Sequence, residues 1–186
     1  MLAALAKAKW VKQLQKKNIL TVLALAVASS LLIGQSVQAE RYKARVLTVY
    51  DGDTLLVDHG GKREKIILYG VDCPEGAQDF GPQAKQFTEA CCSHKDVVID
   101  FKGRDKFNRL VAEIYLSDGA DLNHELVKRG LAWWSDKFAA GDTVLQTLQT
   151  EAKAASTGLW AAPHPIPPWL FRNGDKAVQA TIVPSK

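Results

Sequence analysis

Polar and apolar side chains alternate over residues 41–49, the period-two pattern of a strand with one buried face. Residues 54–57 repeat it and end at Asp58-His59-Gly60-Gly61, a hairpin turn, after which residues 65–71 return as a third strand. Gly81-Pro82 then opens a helix that places Ala84, Phe87 and Cys91 on one face. Residues 97–102 and 110–116 read as two further strands, joined by the polar stretch Gly103-Arg104-Asp105-Lys106-Phe107-Asn108. A second helix is predicted over residues 121–129, stopping at Gly130. A third, over residues 142–156, turns Val144, Leu145, Leu148, Ala152 and Ala155 inward and ends at Gly158. The prolines of Pro163-His164-Pro165-Ile166-Pro167-Pro168-Trp169 argue against helix and central strand, so an extended course pinned by Trp160 and Trp169 is expected. No internal repeat is evident. The order of three strands, helix, two strands and two helices predicts an α+β fold: a five-stranded OB-like Greek-key β-barrel with three packed helices.

The ends of the chain follow other patterns. Residues 1–18 carry five lysines and no acid, residues 19–34 are apolar, and Val37-Gln38-Ala39 offers small residues at the positions a signal peptidase reads. Residues 1–39 therefore read as a secretory signal peptide, with an uncleaved membrane anchor as the alternative. Residues 40–172 would form the domain, and residues 173–186 a flexible tail. The expected location is periplasmic or secreted. The chain's formal charge of +4 includes those five lysines, so residues 40–186 keep only −1. Global charge thus gives no case for nucleic-acid binding, and any positive field must be local. Three cysteines in an exported chain suggest one disulfide and a spare thiol, pairing Cys73 with Cys91 or Cys92. Cys91-Cys92-Ser93-His94 lacks the two spaced ligand pairs of a zinc site.

Two acidic patches carry the chemistry: Asp51-Gly52-Asp53-Thr54 and Val71-Asp72-Cys73-Pro74-Glu75. Each ends a strand-like stretch, so Asp53, Asp72 and Glu75 can share one small volume. Carboxylates that close repel, and need a cation or a raised pKa to coexist. Hard divalent cations prefer such oxygen ligands. A metal on two carboxylates, beside a third that takes a proton from water, is equipment for hydrolysis.

With these motifs the chain resembles the staphylococcal-nuclease (thermonuclease) family from about residue 41 to 172. The resemblance rests on the two patches, on Asp105-Lys106-Phe107-Asn108-Arg109, and on Gly130-Leu131-Ala132-Trp133-Trp134, Gly158-Leu159-Trp160 and Pro167-Pro168-Trp169, in family order. It implies a calcium-dependent endonuclease, a hydrolase of DNA and RNA; a monomer is expected. Carried over by position, Asp53 and Asp72 would bind Ca2+ with the backbone carbonyl of Cys73 nearby. Glu75 would activate water, and Arg109 would stabilise the phosphate. Lys65, Asp105 and Phe138 are the candidates for contact with substrate.

The chain also departs from the family. A second arginine is usual five residues before the aspartate matched by Asp72, and here that residue is Ile67. Lys65, on the same strand face about 7 Å away, would substitute in part, as a point charge without the planar fork. Ser135, Asp136 and Phe138 stand where the family tends to place tyrosines after the paired tryptophans; those tryptophans read as core. The expectation is an active but slow nuclease. The competing reading is a catalytically degenerate OB-like domain that binds nucleic acid or a partner.

Overall fold

A computed structural model describes residues 41–174. The expected signal peptide lies outside the described residues, as does the tail beyond residue 174. Seven strands run in chain order: β1 (Arg41–Asp51), β2 (Thr54–His59), β3 (Lys62–Leu68), β4 (Val71–Asp72), β5 (Asp96–Arg104), β6 (Leu110–Tyr115) and β7 (Trp133–Trp134). Five of them close a barrel in the order β1-β2-β3-β6-β5. The pairings are antiparallel except for β3 with β6, where Ile66 to Leu68 run parallel beside Leu110 to Ala112. Closure leaves none of the five with a free edge. The alternation read from the sequence sets the inner face: Val46, Leu55, Val57, Ile66, Leu68, Ile99 and Ile114 are all buried. β4 and β7 form a separate two-residue ladder, Val71 opposite Trp134 and Asp72 opposite Trp133.

Around the barrel lie α1 (Gly81–Cys92), α2 (Leu122–Lys128), α3 (Asp136–Ala139), α4 (Thr143–Ala154), a 3-10 turn at Gly158–Ala161 and α5 (Pro168–Arg172). The three longest are the predicted helices. Asp121 and Asp142 cap α2 and α4, each accepting backbone N–H bonds from the first turn. α1 turns further than expected: it buries Ala84, Thr88 and Cys92, while Phe87 and Cys91 pack only partly against the core. The cause is polar, since Thr88 Oγ1 donates to the Gly52 carbonyl at 2.6 Å. Val144 at the start of α4 and Ala155 at its end are exposed rather than inward.

Two expectations are corrected. All three cysteines are free thiols. Cys92 Sγ donates to the Thr88 carbonyl at 3.1 Å, and a Cβ on Gly52 would lie 2.7 Å from Cys73 Sγ, so the two thiols are held by different neighbours. The proline-rich tail does turn helical at its end. Pro168 occupies the first turn of α5, where a missing N–H costs nothing and its fixed φ suits the helix. Among the described residues no helix is long and apolar enough to cross a membrane.

Candidate active site

The site grows from the end of β1. A bulge between Val49 and Asp51 bends the strand, and Gly52 follows in a slot too tight for a side chain. A Cβ there would meet Cys73 Sγ at 2.7 Å and the Ala84 methyl at 2.8 Å. This close approach lays Asp53 against the second acidic patch. Asp53 Oδ2 accepts the Cys73 backbone N–H at 2.7 Å, and Oδ1 accepts the Thr54 hydroxyl at 2.9 Å.

The second patch is held from the other side. Gly70 reverses the chain between β3 and β4 with φ near 70°, and its carbonyl accepts the Ser135 N–H. Asp72 is then fixed by its pairing with Trp133. After Pro74 the chain folds back on itself: the Glu75 N–H donates to Gln78 Oε1, and the Gln78 N–H donates to the Glu75 carbonyl. Gln78 also reaches outward, donating from Nε2 to the Ile166 carbonyl at 3.1 Å.

Asp53, Asp72, Glu75 and Arg109 line one cleft of about 930 Å³, together with Ile67 and Arg172. Phe107 and Phe138 also line it, with 66% and 70% of their surface exposed. Cations lie over both rings, Lys106 and Arg109 over Phe107 and Lys137 over Phe138, so a stacking base would share or displace those contacts. Asp105 is occupied differently from expectation. Its carboxylate accepts from Arg109 Nε at 2.7 Å and from the backbone N–H groups of Phe107 and Arg109. It therefore aims Arg109 rather than meeting a substrate phosphate. Burial alone would raise its pKa, but the bonds from Arg109 and the backbone hold it below the usual carboxylate value.

Lys65, unlike Asp105, is not among the residues that line the cleft. Its ammonium sits 4.5 Å from the centre of the Tyr50 ring, a cation–π contact on the barrel's exposed face. The cation that does reach the acidic patch is Arg172. Its Nη1 and Nη2 donate to Asp72 Oδ1 and Oδ2 at 3.0 and 2.7 Å, and Nη1 also donates to Glu75 Oε1 at 2.6 Å. Arg172, Gln78, Thr88 and Phe107 were not singled out from the sequence. Gln78 and Thr88 act through backbone partners that no spacing rule marks.

Loss of water around the carboxylate is the largest cause raising the Asp53 pKa, from 3.8 to about 6, with the Asp72 charge adding to it. Burial first, then the Asp53 charge, pushes the Cys73 thiol well up, so it stays protonated and is no nucleophile. Among the described residues no three His, Cys, Asp or Glu side chains cluster as a ready-made metal site. The donor set nevertheless suits a hard cation. The Asp72 charge lies close enough to raise the cost of ionising Asp53, and Asp72 with Glu75 already attracts a guanidinium. Two carboxylates with a carbonyl and waters are a coordination such ions accept.

Comparison with known proteins places the chain among nucleases. The family model for staphylococcal nuclease homologues matches residues 65–162. A protein named as an uncharacterized endonuclease in Escherichia coli O157:H7 is 35% identical over 129 residues, covering 69% of this chain and 84% of its own. One of the same description in Haemophilus influenzae is 35% identical over 138 residues, 74% of this chain and 76% of its own. A micrococcal nuclease of Shigella flexneri is 26% identical over 161 residues, 81% and 92% of the two chains.

Proposed function

This chain belongs to the family of staphylococcal nuclease homologues, and is therefore a nuclease; we propose that it is a calcium-dependent endonuclease cleaving DNA and RNA. The observation that carries the reading is the convergence of Asp53, Asp72, Glu75 and Arg109 on one cleft. Asp53 and Asp72 would hold the ion beside the Cys73 carbonyl. Calcium, when bound, neutralises the phosphate and orients the attacking water. Glu75 is the general base, its backbone fixed by Gln78 so that its carboxylate stays within reach of that water. Arg109, locked by Asp105, presents its remaining N–H groups to the phosphate oxygens as charge builds. Phe138 and Phe107 receive the flanking bases.

Ile67 lines the cleft where a second arginine is expected, and removing one preorganised donor costs about 2.7–4 kcal/mol, or roughly 10²–10³ in rate. The enzyme is thus a slow member of its family, working as a monomer. The signal-like residues 1–39 direct it to the periplasm or the medium, where it threatens no resident genome. Mass spectrometry should find an exported protein beginning at Glu40, and full-length protein confined to the cytosol would overturn that part.

The activity test is direct. Purified protein should convert supercoiled plasmid to open circles with calcium and stop on addition of chelator. Glu75→Gln should lower the rate by about 10²–10⁴ while leaving the fold intact by circular dichroism. Full activity in that variant would remove Glu75 from the mechanism. Binding of single strands without cleavage, across calcium, magnesium and manganese, would leave only a nucleic-acid-binding barrel.

A further inference from the structure

We propose that Arg172, carried on the C-terminal helix, is the second phosphate-holding arginine of this site and replaces in part the donor that Ile67 cannot supply. The inference rests on the nuclease reading above and adds a residue to it. Arg172 and Ile67 line the same cleft, with Arg104 and Arg109 as the other guanidiniums, and Arg104 is committed to Glu64 and the Asn108 carbonyl. The two bonds from Arg172 to Asp72 are the two-pronged contact a guanidinium makes equally well with a phosphate, and a third reaches Glu75.

The helix that brings Arg172 there is anchored at three points. Gln78, the residue that fixes the Glu75 backbone, also holds the Ile166 carbonyl. Pro168 is buried at the start of α5. Trp169 packs edge-on to Trp133, ring centres 5.6 Å apart, and Trp133 is the strand partner of Asp72. The strap therefore docks on the two elements that carry the metal-binding and basic carboxylates. An arginine at its last turn is placed, not merely nearby.

The present partners of Arg172 do not hold it back. Nearly half of its side chain is exposed, so water reaches these ion pairs and screens them on that side. A cation held by Asp53 and Asp72 would compete with Arg172 for Asp72, leaving the guanidinium free to turn to a phosphate entering the same cleft. Before that, Arg172 offsets the repulsion between Asp72 and Glu75.

Arg172→Ala should lower plasmid cleavage by about 10²–10³, with Arg172→Lys falling between it and wild type. In the Arg172→Ala background, Ile67→Arg should restore activity. A second measurement does not depend on turnover: calorimetric binding of a nucleoside 5′-monophosphate, with and without calcium. The Ala variant should bind it about tenfold or more weakly, with the fold intact by circular dichroism. Unchanged nucleotide affinity would overturn the proposal, even if the rate falls. Higher activity and tighter nucleotide binding would also overturn it, making Arg172 a plug over the carboxylates. A wild type that cleaves nothing with any divalent ion would sink the nuclease reading alone, since the binding comparison still decides Arg172.

Discussion

Asp53 is held at a cost to the fold, and Asp53→Asn should release it. The unfolded chain gives up this proton near 3.8, the folded chain only near 6. Between those values the folded state holds the extra proton, so stability from this group is highest below about 3.8. It falls as pH rises from about 4 to 6 and stays at the lower level above. At about 1.4 kcal/mol for each pKa unit, the penalty at neutral pH is about 3 kcal/mol. Asparagine is nearly the same size and can still accept the Cys73 N–H through its carbonyl oxygen. The variant should therefore melt higher than wild type in chelator at pH 7.5, by up to about 10 °C at roughly 3 °C per kcal/mol. The decisive curve is the difference in melting temperature across pH 4 to 7.5. It should be near zero at pH 4, climb through pH 5 to 6, and then level. Saturating calcium should shrink it, because the ion stabilises only the chain that can bind it. A flat difference, or an asparagine variant less stable than wild type at pH 7.5 without calcium, would refute the reasoning.

Two further outcomes follow from the cleft. In Gly81→Ala the new methyl overlaps the Glu75 carbonyl oxygen, so the loop must shift; kcat should fall by about 10²-fold, as for a base displaced by about 1 Å. Gly76→Ala in the same loop meets nothing within 4 Å and should behave as wild type; equal rates in the two variants would show that Glu75 tolerates the displacement. Ile67→Arg alone should raise turnover, but by less than it does when Arg172 is absent, and an equal gain in both backgrounds would mean that the two arginines act independently.

The barrel was legible because its physics is local. A strand with one buried face must alternate, and the turn at His59-Gly60-Gly61 announces itself by composition, with Gly60 and Gly61 both at positive φ. The acidic patches were legible for a similar reason, since each sits at the end of such a strand. What escaped reading depends on partners distant in sequence. The facing of α1 is set by Thr88 bonding a carbonyl 36 residues earlier. Lys65 had two destinations on its strand face, and the Tyr50 ring on β1 took it, which no property of β3 alone reveals. The cysteines offered a plausible pairing until packing put Cys73 beneath Gly52. Arg172 is the extreme case: it meets Asp72 across 100 residues, and nothing in Pro167-Pro168-Trp169 says where the following turn will point.

That separation also sets a schedule. A ribosome has completed Asp53, Asp72, Glu75 and Arg109 long before it adds Arg172, and the strap that Gln78 receives emerges among the last residues of the domain. A partly made chain can possess the carboxylates and the first arginine while lacking the second. Under the proposed role of Arg172, such a chain is a weakened nuclease throughout synthesis. A chain drawn unfolded through an export channel has no assembled site at all. Under the proposed export, full strength would then arrive with the helical turn that carries Arg172, outside the compartment holding the cell's own nucleic acid.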